Sequence, residues 1–536
     1  MVVIKSERSS LTSRYSEKGL DLIESYSSVI GYSFEQSEGE LKVELNPDRA
    51  DLFSFNTLVR SAEMYFSSTA FPQERAAWKG RIILKSGALR LRPYVRSFIA
   101  EGREIGEYME ELIDFQEKIH LSVGKDRKKS SIGLHDLDKI KLPVIYDSGN
   151  TEDISFETYD GSMENKASEI LRRHSKGSLY GKLIGDISEA PFMFDSDGDV
   201  LSMPPVINGI KSVIEPATKK FFVDITGTDM KATDDTMFLM KHFFSCLGYK
   251  TFFTRIEGLD PKNFALPGML KLKIRPGRVR KFLNVDMSGT EIAFHLKRMG
   301  YIVRNNADSI EINVPSYRID VMGEADIMED IAKSFGFNNL KEKELAFKNL
   351  PERNISRTHE ETLRGILVGA GFQEIMSFFL VPSSFYSVST YQGDMRILNP
   401  KSQDFSVMRD RLLLGILDFY SRNRNRNYPQ NVFEIGEVVL HGKQESHVCI
   451  SIAQPGAAYS SIKRQVEYLF RRIGNFNLTY TPFDSEDLME GRSAKMTLSG
   501  RDVGLLGEVK PDRLESFGIK VPVALSEINI PKIFIK

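Results

Sequence analysis

Residues 287–337 read MSGTEIAFHLKRMGYIVRNNADSIEINVPSYRIDVMGEADIMEDIAKSFGF. Ser288 with Glu291 three residues on is a capping-box pair, and Gly300 stops the helix they open. YIVRNNADSIEINV then forms two short strands about an Asn-rich turn, and a second helix begins near Ala325. Helix, hairpin and helix together describe a winged-helix-like module, bounded at 268–345. On the second helix, Ile327, Met328, Ile331, Ala332 and Phe335 make the apolar stripe, while Asp326, Glu329 and Asp330 fall on one opposite face. Asp320, at the end of the preceding strand, leans over the same first turn. Four such carboxylates repel unless a cation joins them, and an all-oxygen ligand set suits Mg²⁺. The competing account is that acidic residues favour a helix N-terminus and stay solvated, with Lys333 giving partial relief.

Outward from this module the chain reads as a multidomain α+β protein. Residues 1–85 form a small α+β unit in which ELNPDRADLFSFNTLVRSAEMYF (44–66) opens a helix, with Asp48 as N-cap, Asp51 as its capping partner and Leu58, Ala62 and Phe66 as the apolar stripe. From 86 to 255, β-rich pieces (LRPYVRSFIA, KLPVIYD, FFVDITG) alternate with helical ones (IGEYMEELIDFQEKIHLSV, TMFLMKHFFSCL), as in one α+β domain. Residues 346–536 alternate helices and strands in the manner of an antiparallel sheet covered by helices.

The whole chain has 536 residues, with 72 Lys plus Arg against 73 Asp plus Glu, which gives no global basic field; a nucleic-acid partner must be held by local patches. Its composition, 41% apolar and 27% charged, is that of a folded globular protein, not of a disordered or collagen-like one. Cys246 and Cys449, about 200 residues apart, form neither a disulfide framework nor a closely spaced zinc site. No apolar run follows the N-terminus and no 18 apolar residues are contiguous, so a cytosolic setting is expected. Walker-type and dinucleotide Gly-rich loops, H-E-x-x-H and G-x-S-x-G are absent. Lys495-Met496-Thr497-Leu498-Ser499 is superficially similar to a class I synthetase lysine loop, yet lacks the upstream histidine motif and reads better as a strand.

In order along the chain, NPDRADL, RPYVRSF, FQEKIH followed by SSIGLHDLDKI, LSMPPVING, FFVDITGTD, YRIDVMGEADIMEDIAKSFGFNN and GLLGEVKPDRLESFGI resemble the β chain of archaeal-type phenylalanyl-tRNA synthetases. The resemblance implies an (αβ)2 heterotetramer that uses ATP and Mg²⁺ to attach phenylalanine to tRNA(Phe), with the synthetic site on the α chain. It implies Mg²⁺ at Asp320, Asp326, Glu329 and Asp330, an editing domain for Tyr-tRNA within 86–255, and a class II synthetase-like but inactive C-terminal domain. Class II chemistry needs two arginines to clamp ATP phosphates. Arg409 in MRDRLLLG with the strand VFEIGEVV looks similar to the first element; no Gly-rich helix opened by an arginine supplies the second.

A phenylalanine pocket discriminates poorly against an isostere that adds a hydroxyl, so a second, hydrolytic site is the remedy. Around LSMPPVING and FFVDITGTD the suitable polar types are Ser202, Asn208, Asp224, Thr226 and Thr228. Asp224 and Thr226, alternate residues of one strand face, are expected to orient the substrate with Ser202 nearby; turn and cap hydrogen bonding is the plainer role. His135 with Asp136 in GLHDLD is a weaker acid/base or metal pair. Basic runs at 271–281 (KLKIRPGRVRK), 125–129 (KDRKK) and Arg422, Arg424 and Arg426 offer phosphate contacts or solvated loops. A non-catalytic tRNA-binding scaffold with the same modules is the alternative; it predicts no ester hydrolysis and no stable complex with a synthetic α chain.

Overall fold

Lys220–Gly227 (KFFVDITG) is buried from Phe221 onward because it lies between two antiparallel neighbours, Tyr94–Glu101 and Ser130–Asp136. A strand enclosed in this way carries apolar residues on both faces: Phe221, Val223 and Ile225 enter one core and Phe222 another, leaving Asp224 and Thr226 on the Phe222 face. The sheet has nine strands, ordered by residue number 207–208, 200–203, 189–194, 144–150, 78–84, 250–257, 94–101, 220–227 and 130–136. Strand 78–84 runs parallel to both of its neighbours.

A computed structural model of the chain describes residues 2–37, 39–68, 77–258, 266–306, 308–342, 351–386, 395–474 and 477–534. The chain divides into two units, 1–345 and 346–536. In the first, the three segments read as separate domains contribute to one continuous core that includes Ile4, Phe115 and Ile331. The Gly289–Arg298 helix carries the expected Ser288–Glu291 capping box, and strands Ile302–Asn305 and Ile310–Asn313 form the hairpin. Two elements there were not foreseen: strand Lys271–Ile274, which completes a three-stranded sheet, and helix Pro276–Leu283, opened by a proline at its start.

The helix near residue 55 starts elsewhere than its sequence suggests. Ser54 caps Phe55–Ser67 by accepting from the Thr57 amide, whereas Asp51 is fully buried in a bidentate pair with Arg49, at 2.8 and 2.7 Å. Leu58 and Ala62 are buried, but Phe66 is 44% exposed and leaves the stripe. In the second unit, seven strands ordered 373–374, 430–440, 443–453, 523–529, 501–509, 488–498 and 478–482 form a sheet that is antiparallel except at its first pair. EIMSFFLV is not one strand: only Gln373–Glu374 and Leu380–Val381 pair, in different sheets. Among the described residues, no helix is long and apolar enough to cross a membrane.

His242, on helix Met230–Cys246, lies against the Tyr317 ring with centroids 3.7 Å apart. Burial pushes its pKa down to about 4. The folded state therefore binds fewer protons than the unfolded chain once the pH falls below about 6.5, and stability is lost as pH drops from there toward the folded value. At pH 5 this amounts to roughly 2 kcal/mol. Urea titrations at pH 7.5 and 5 are expected to show a smaller acid loss for His242→Phe than for the parent chain.

Candidate active site

Strand register assembles a cavity in the first unit. Pairing of Lys220–Gly227 with Ser130–Asp136 sets Asp224 opposite Gly133, and pairing of strand 200–203 sets Ser202 opposite Asn208. With helix Met109–Leu121 and the turn 204–206, these strands enclose about 360 Å³, lined by Asp224, Ser202, Asn208, Gly133, Ile113 and Arg127 among others. Gly133 is required by contact: a β-carbon there would overlap the Asp224 carboxylate. The apolar wall comes from Met109, Ile113, Leu134, Val206 and Ile214, which suits an aromatic side chain.

Asp224 is 1% exposed. Its Oδ2 lies 2.7 Å from His135 Nε2, and His135 Nδ1 lies 2.7 Å from the Ser212 hydroxyl. In the neutral tautomer that carries its proton on Nε2, His135 donates to Asp224 and accepts at Nδ1 from the Ser212 hydroxyl. The partner of His135 is thus Asp224, not the adjacent Asp136, which caps the Asp138 amide and accepts from Thr218. Ser202, 2% exposed, has a hydroxyl with no hydrogen-bond partner among the described residues. A buried orphan hydroxyl at a cavity wall is what a ligand would satisfy. Thr226 does not line the cavity: its hydroxyl takes the Arg92 Nε–H at 3.2 Å and pairs with Ser131 at 3.0 Å. Thr228 points elsewhere, donating to the Lys128 carbonyl. Burial lowers the Arg92 pKa to about 10, and its guanidinium ties the Thr226 and Arg127 carbonyls together.

The basic run at 125–129 is not a solvated surface throughout. Arg127 turns inward, donating to the Pro205 and Val206 carbonyls at 3.3 and 3.2 Å and to Glu117 at 2.7 Å, with its carbon Cζ 4.3 Å from the Tyr180 ring centroid. His120 Nε2 accepts from the Ile132 amide, so its proton sits on Nδ1, facing Glu117. Burial alone would raise the Glu117 pKa, but His120 together with the Arg127 and Lys176 charges holds it down at about 2. By contrast Arg275, Arg278, Arg280 and Lys281 rim an open groove with Thr290 and Asn305, where Arg278 pairs with Glu324 at 2.6 Å.

The acidic quartet does not share one solvent face. Asp330 is 3% exposed and its Oδ2 receives the Tyr301 hydroxyl at 2.5 Å and an Arg318 N–H at 2.6 Å. The same guanidinium grips both Asp320 oxygens, at 2.9 and 2.7 Å. Burial would raise the Asp320 pKa, but the Arg318 charge outweighs it and lowers it. Asp326 accepts from the Met322 and Gly323 amides at the helix start, and Glu329 pairs with Lys333 one turn on. No three of the four bring carboxylate oxygens within 4.8 Å of one another. The helical projection misjudged Asp330 because Arg318 and Tyr301 give that flank a buried polar seam. A magnesium ion does not fit residues whose charge is already met by Arg318, Lys333 and a helix N-terminus. Among the described residues one carboxylate group is close enough for a metal, Asp195, Asp197 and Asp199, and it already carries Lys211 and Lys141.

In the second unit Arg409 is 4% exposed and donates to Glu434 at 2.6 Å, Ser377 at 2.8 Å and the Glu437 carbonyl at 2.8 Å. The nearby cleft of about 620 Å³ is lined by Asp410, Glu445, Asp484, Glu486, Asp487, Asp502 and Glu527 together with Arg411, Lys495 and Lys532.

Residues 272–337 match the tRNA synthetase B5 domain and residues 348–530 the phenylalanyl tRNA synthetase beta chain CLM domain, which sets the chain in the class of aminoacyl-tRNA ligase components. It is 38% identical to the phenylalanine–tRNA ligase beta subunit of Thermoplasma volcanium, over 99% of both chains, and 31% identical to that of Saccharolobus islandicus, over 92% of both. An N-terminal fragment of the phenylalanyl-tRNA synthetase beta subunit from Pyrococcus horikoshii superposes with a TM-score of 0.56 and 25% identity, covering 62% of this chain and 99% of the fragment. The chain belongs to the phenylalanine–tRNA ligase β-subunit family.

Arg318 carries a prediction of its own. Arg318→Met leaves Asp330 a buried, unbalanced charge and is expected to cost about 3–5 kcal/mol in denaturant unfolding. Adding Asp330→Asn should recover a substantial part; no recovery would mean that the guanidinium acts through packing alone.

Proposed function

We propose that the chain works in an (αβ)2 heterotetramer with a synthetic α subunit, which charges tRNA(Phe) with phenylalanine using ATP and Mg²⁺, and that the cavity at Asp224 hydrolyses Tyr-tRNA(Phe). The observation that carries the hydrolytic reading is a buried carboxylate and an unsatisfied buried hydroxyl, Asp224 and Ser202, in one apolar-walled cavity of about 360 Å³. A phenolic hydroxyl that enters can donate to Asp224 and accept from Ser202; phenylalanine leaves both unanswered, at the cost of desolvating them. His135 and Ser212 orient the acceptor.

ATP activation belongs to the partner because the guanidinium that would hold a phosphate here, that of Arg409, is spent on Glu434 and Ser377. The second unit is then a class II-like sheet kept for assembly with the α chain. The groove rimmed by Arg275, Arg278, Arg280 and Lys281, on a winged-helix-like module, supports contact with tRNA phosphates.

In the reconstituted holoenzyme, Asp224→Ala is expected to lower Tyr-tRNA(Phe) deacylation by at least about 10²-fold, in line with loss of a substrate hydrogen bond, while phenylalanine charging is unchanged. Undiminished deacylation beside intact charging would remove Asp224 from the site.

A further inference from the structure

A second pocket of the first unit shares no lining residue with the Asp224 cavity. Strand Lys250–Glu257 pairs antiparallel with Tyr94–Glu101 only as far as Phe253, which lies opposite Phe98; from Phe253 onward it pairs in parallel with Trp78–Leu84. About 260 Å³ opens at that fork, lined by Trp78, Ser97, Met237, Phe253, Thr254 and Arg255 among others. Ser97 and Thr254 are each 3% exposed, and neither hydroxyl has a hydrogen-bond partner among the described residues. Two orphan hydroxyls at one pocket are what a ligand with polar edges would satisfy.

The rest of the lining indicates which ligand. Trp78 is 46% exposed and its ring lies 5.7 Å from that of Phe253, so an accessible aromatic face adjoins an apolar lining that includes Met237 and Ile256. Arg96 is neutralised by Asp234 at 2.6 Å and Glu257 by Arg81 at 3.2 Å, whereas the exposed Arg255 side chain makes no ion pair or hydrogen bond among the described residues. One surplus positive charge favours an anion; the ammonium of a zwitterionic amino acid would meet only carboxylates that already have their arginines. A volume below the ~300–1,000 Å³ of sites that enclose a whole small ligand suits a single ring system with its charged end outside. We propose that this pocket binds a nucleobase, stacked on Trp78 and hydrogen-bonded to Ser97 and Thr254, with the attached phosphate on Arg255. A base edge carries donors and acceptors side by side, and hydroxyls, which do both, can meet them. A free nucleotide and an unpaired nucleotide of an RNA strand present this same chemistry.

The test uses the holoenzyme labelled with 5-fluorotryptophan, its synthetic site blocked by a non-hydrolysable phenylalanyl-adenylate analogue. Trp78 is the one tryptophan of this chain, so comparison with Trp78→Phe identifies its fluorine resonance. AMP, UMP, ribose 5-phosphate and a single-stranded hexaribonucleotide are titrated into the parent, Arg255→Gln and the double variant Ser97→Ala/Thr254→Val, with phenylalanine charging measured to verify assembly. Ser97→Ala alone replaces the double variant should that fail to assemble. The expected result is a saturable shift of the Trp78 resonance by AMP, UMP or the hexamer, with affinity about tenfold lower in each variant and no saturation by ribose 5-phosphate. Tighter binding of the hexamer than of the mononucleotides would assign the pocket to an RNA strand, and equal or weaker binding to free nucleotides. No saturable shift with any probe, affinity unchanged in the variants, or ribose 5-phosphate binding as tightly as AMP would overturn the proposal.

Discussion

Burying a carboxylate without a partner is among the costliest things a fold can do, and the arrangement around Asp224 is built to meet that constraint while leaving it half-answered. His135 supplies one hydrogen bond, itself fixed by Ser212. Gly133 supplies the room, since any side chain at that register position would occupy the carboxylate's place. The remaining acceptor capacity faces a cavity whose apolar lining comes from Met109, Ile113, Leu134, Val206 and Ile214. On the function proposed above, a hydroxyl at the end of an aromatic side chain would complete this set, which is how a site can favour tyrosine over phenylalanine when shape alone cannot.

Elsewhere charged groups that invite a chemical role are consumed internally. Arg318 bridges Asp320 and Asp330, and Arg409 is held by Glu434. Both guanidiniums are almost wholly buried, and in each case the ion pair ties a loop to a neighbouring helix or strand. Such pairs contribute specificity of packing more than stability, because desolvation offsets much of their attraction.

Much of this was legible in the sequence where it follows from local rules. The Ser288–Glu291 box formed as read, because capping involves residues three apart and needs no tertiary knowledge. Strand alternation likewise put Asp224 and Thr226 on one face. What period two cannot reveal is which neighbour each meets: Asp224 faces Gly133 and the cavity, whereas Thr226 faces Ser131 and Arg92. The same limit hid the pairing of His135 with Asp224 across 89 residues and favoured the adjacent Asp136 instead. Asp330 and Arg127 were misjudged for a related reason, since each looks solvent-facing by spacing and is drawn inward by a counter-charge from another element. Asp51 is a third instance, its capping pattern overridden by Arg49.

The most direct test is binding of non-hydrolysable tyrosyl- and phenylalanyl-adenosine amides to the assembled protein by calorimetry. A cavity whose floor must be answered by a phenolic hydroxyl should bind the tyrosyl amide at least about 10²-fold more tightly, a preference lost when that hydroxyl is methylated. Equal affinity for the two amides would contradict the account.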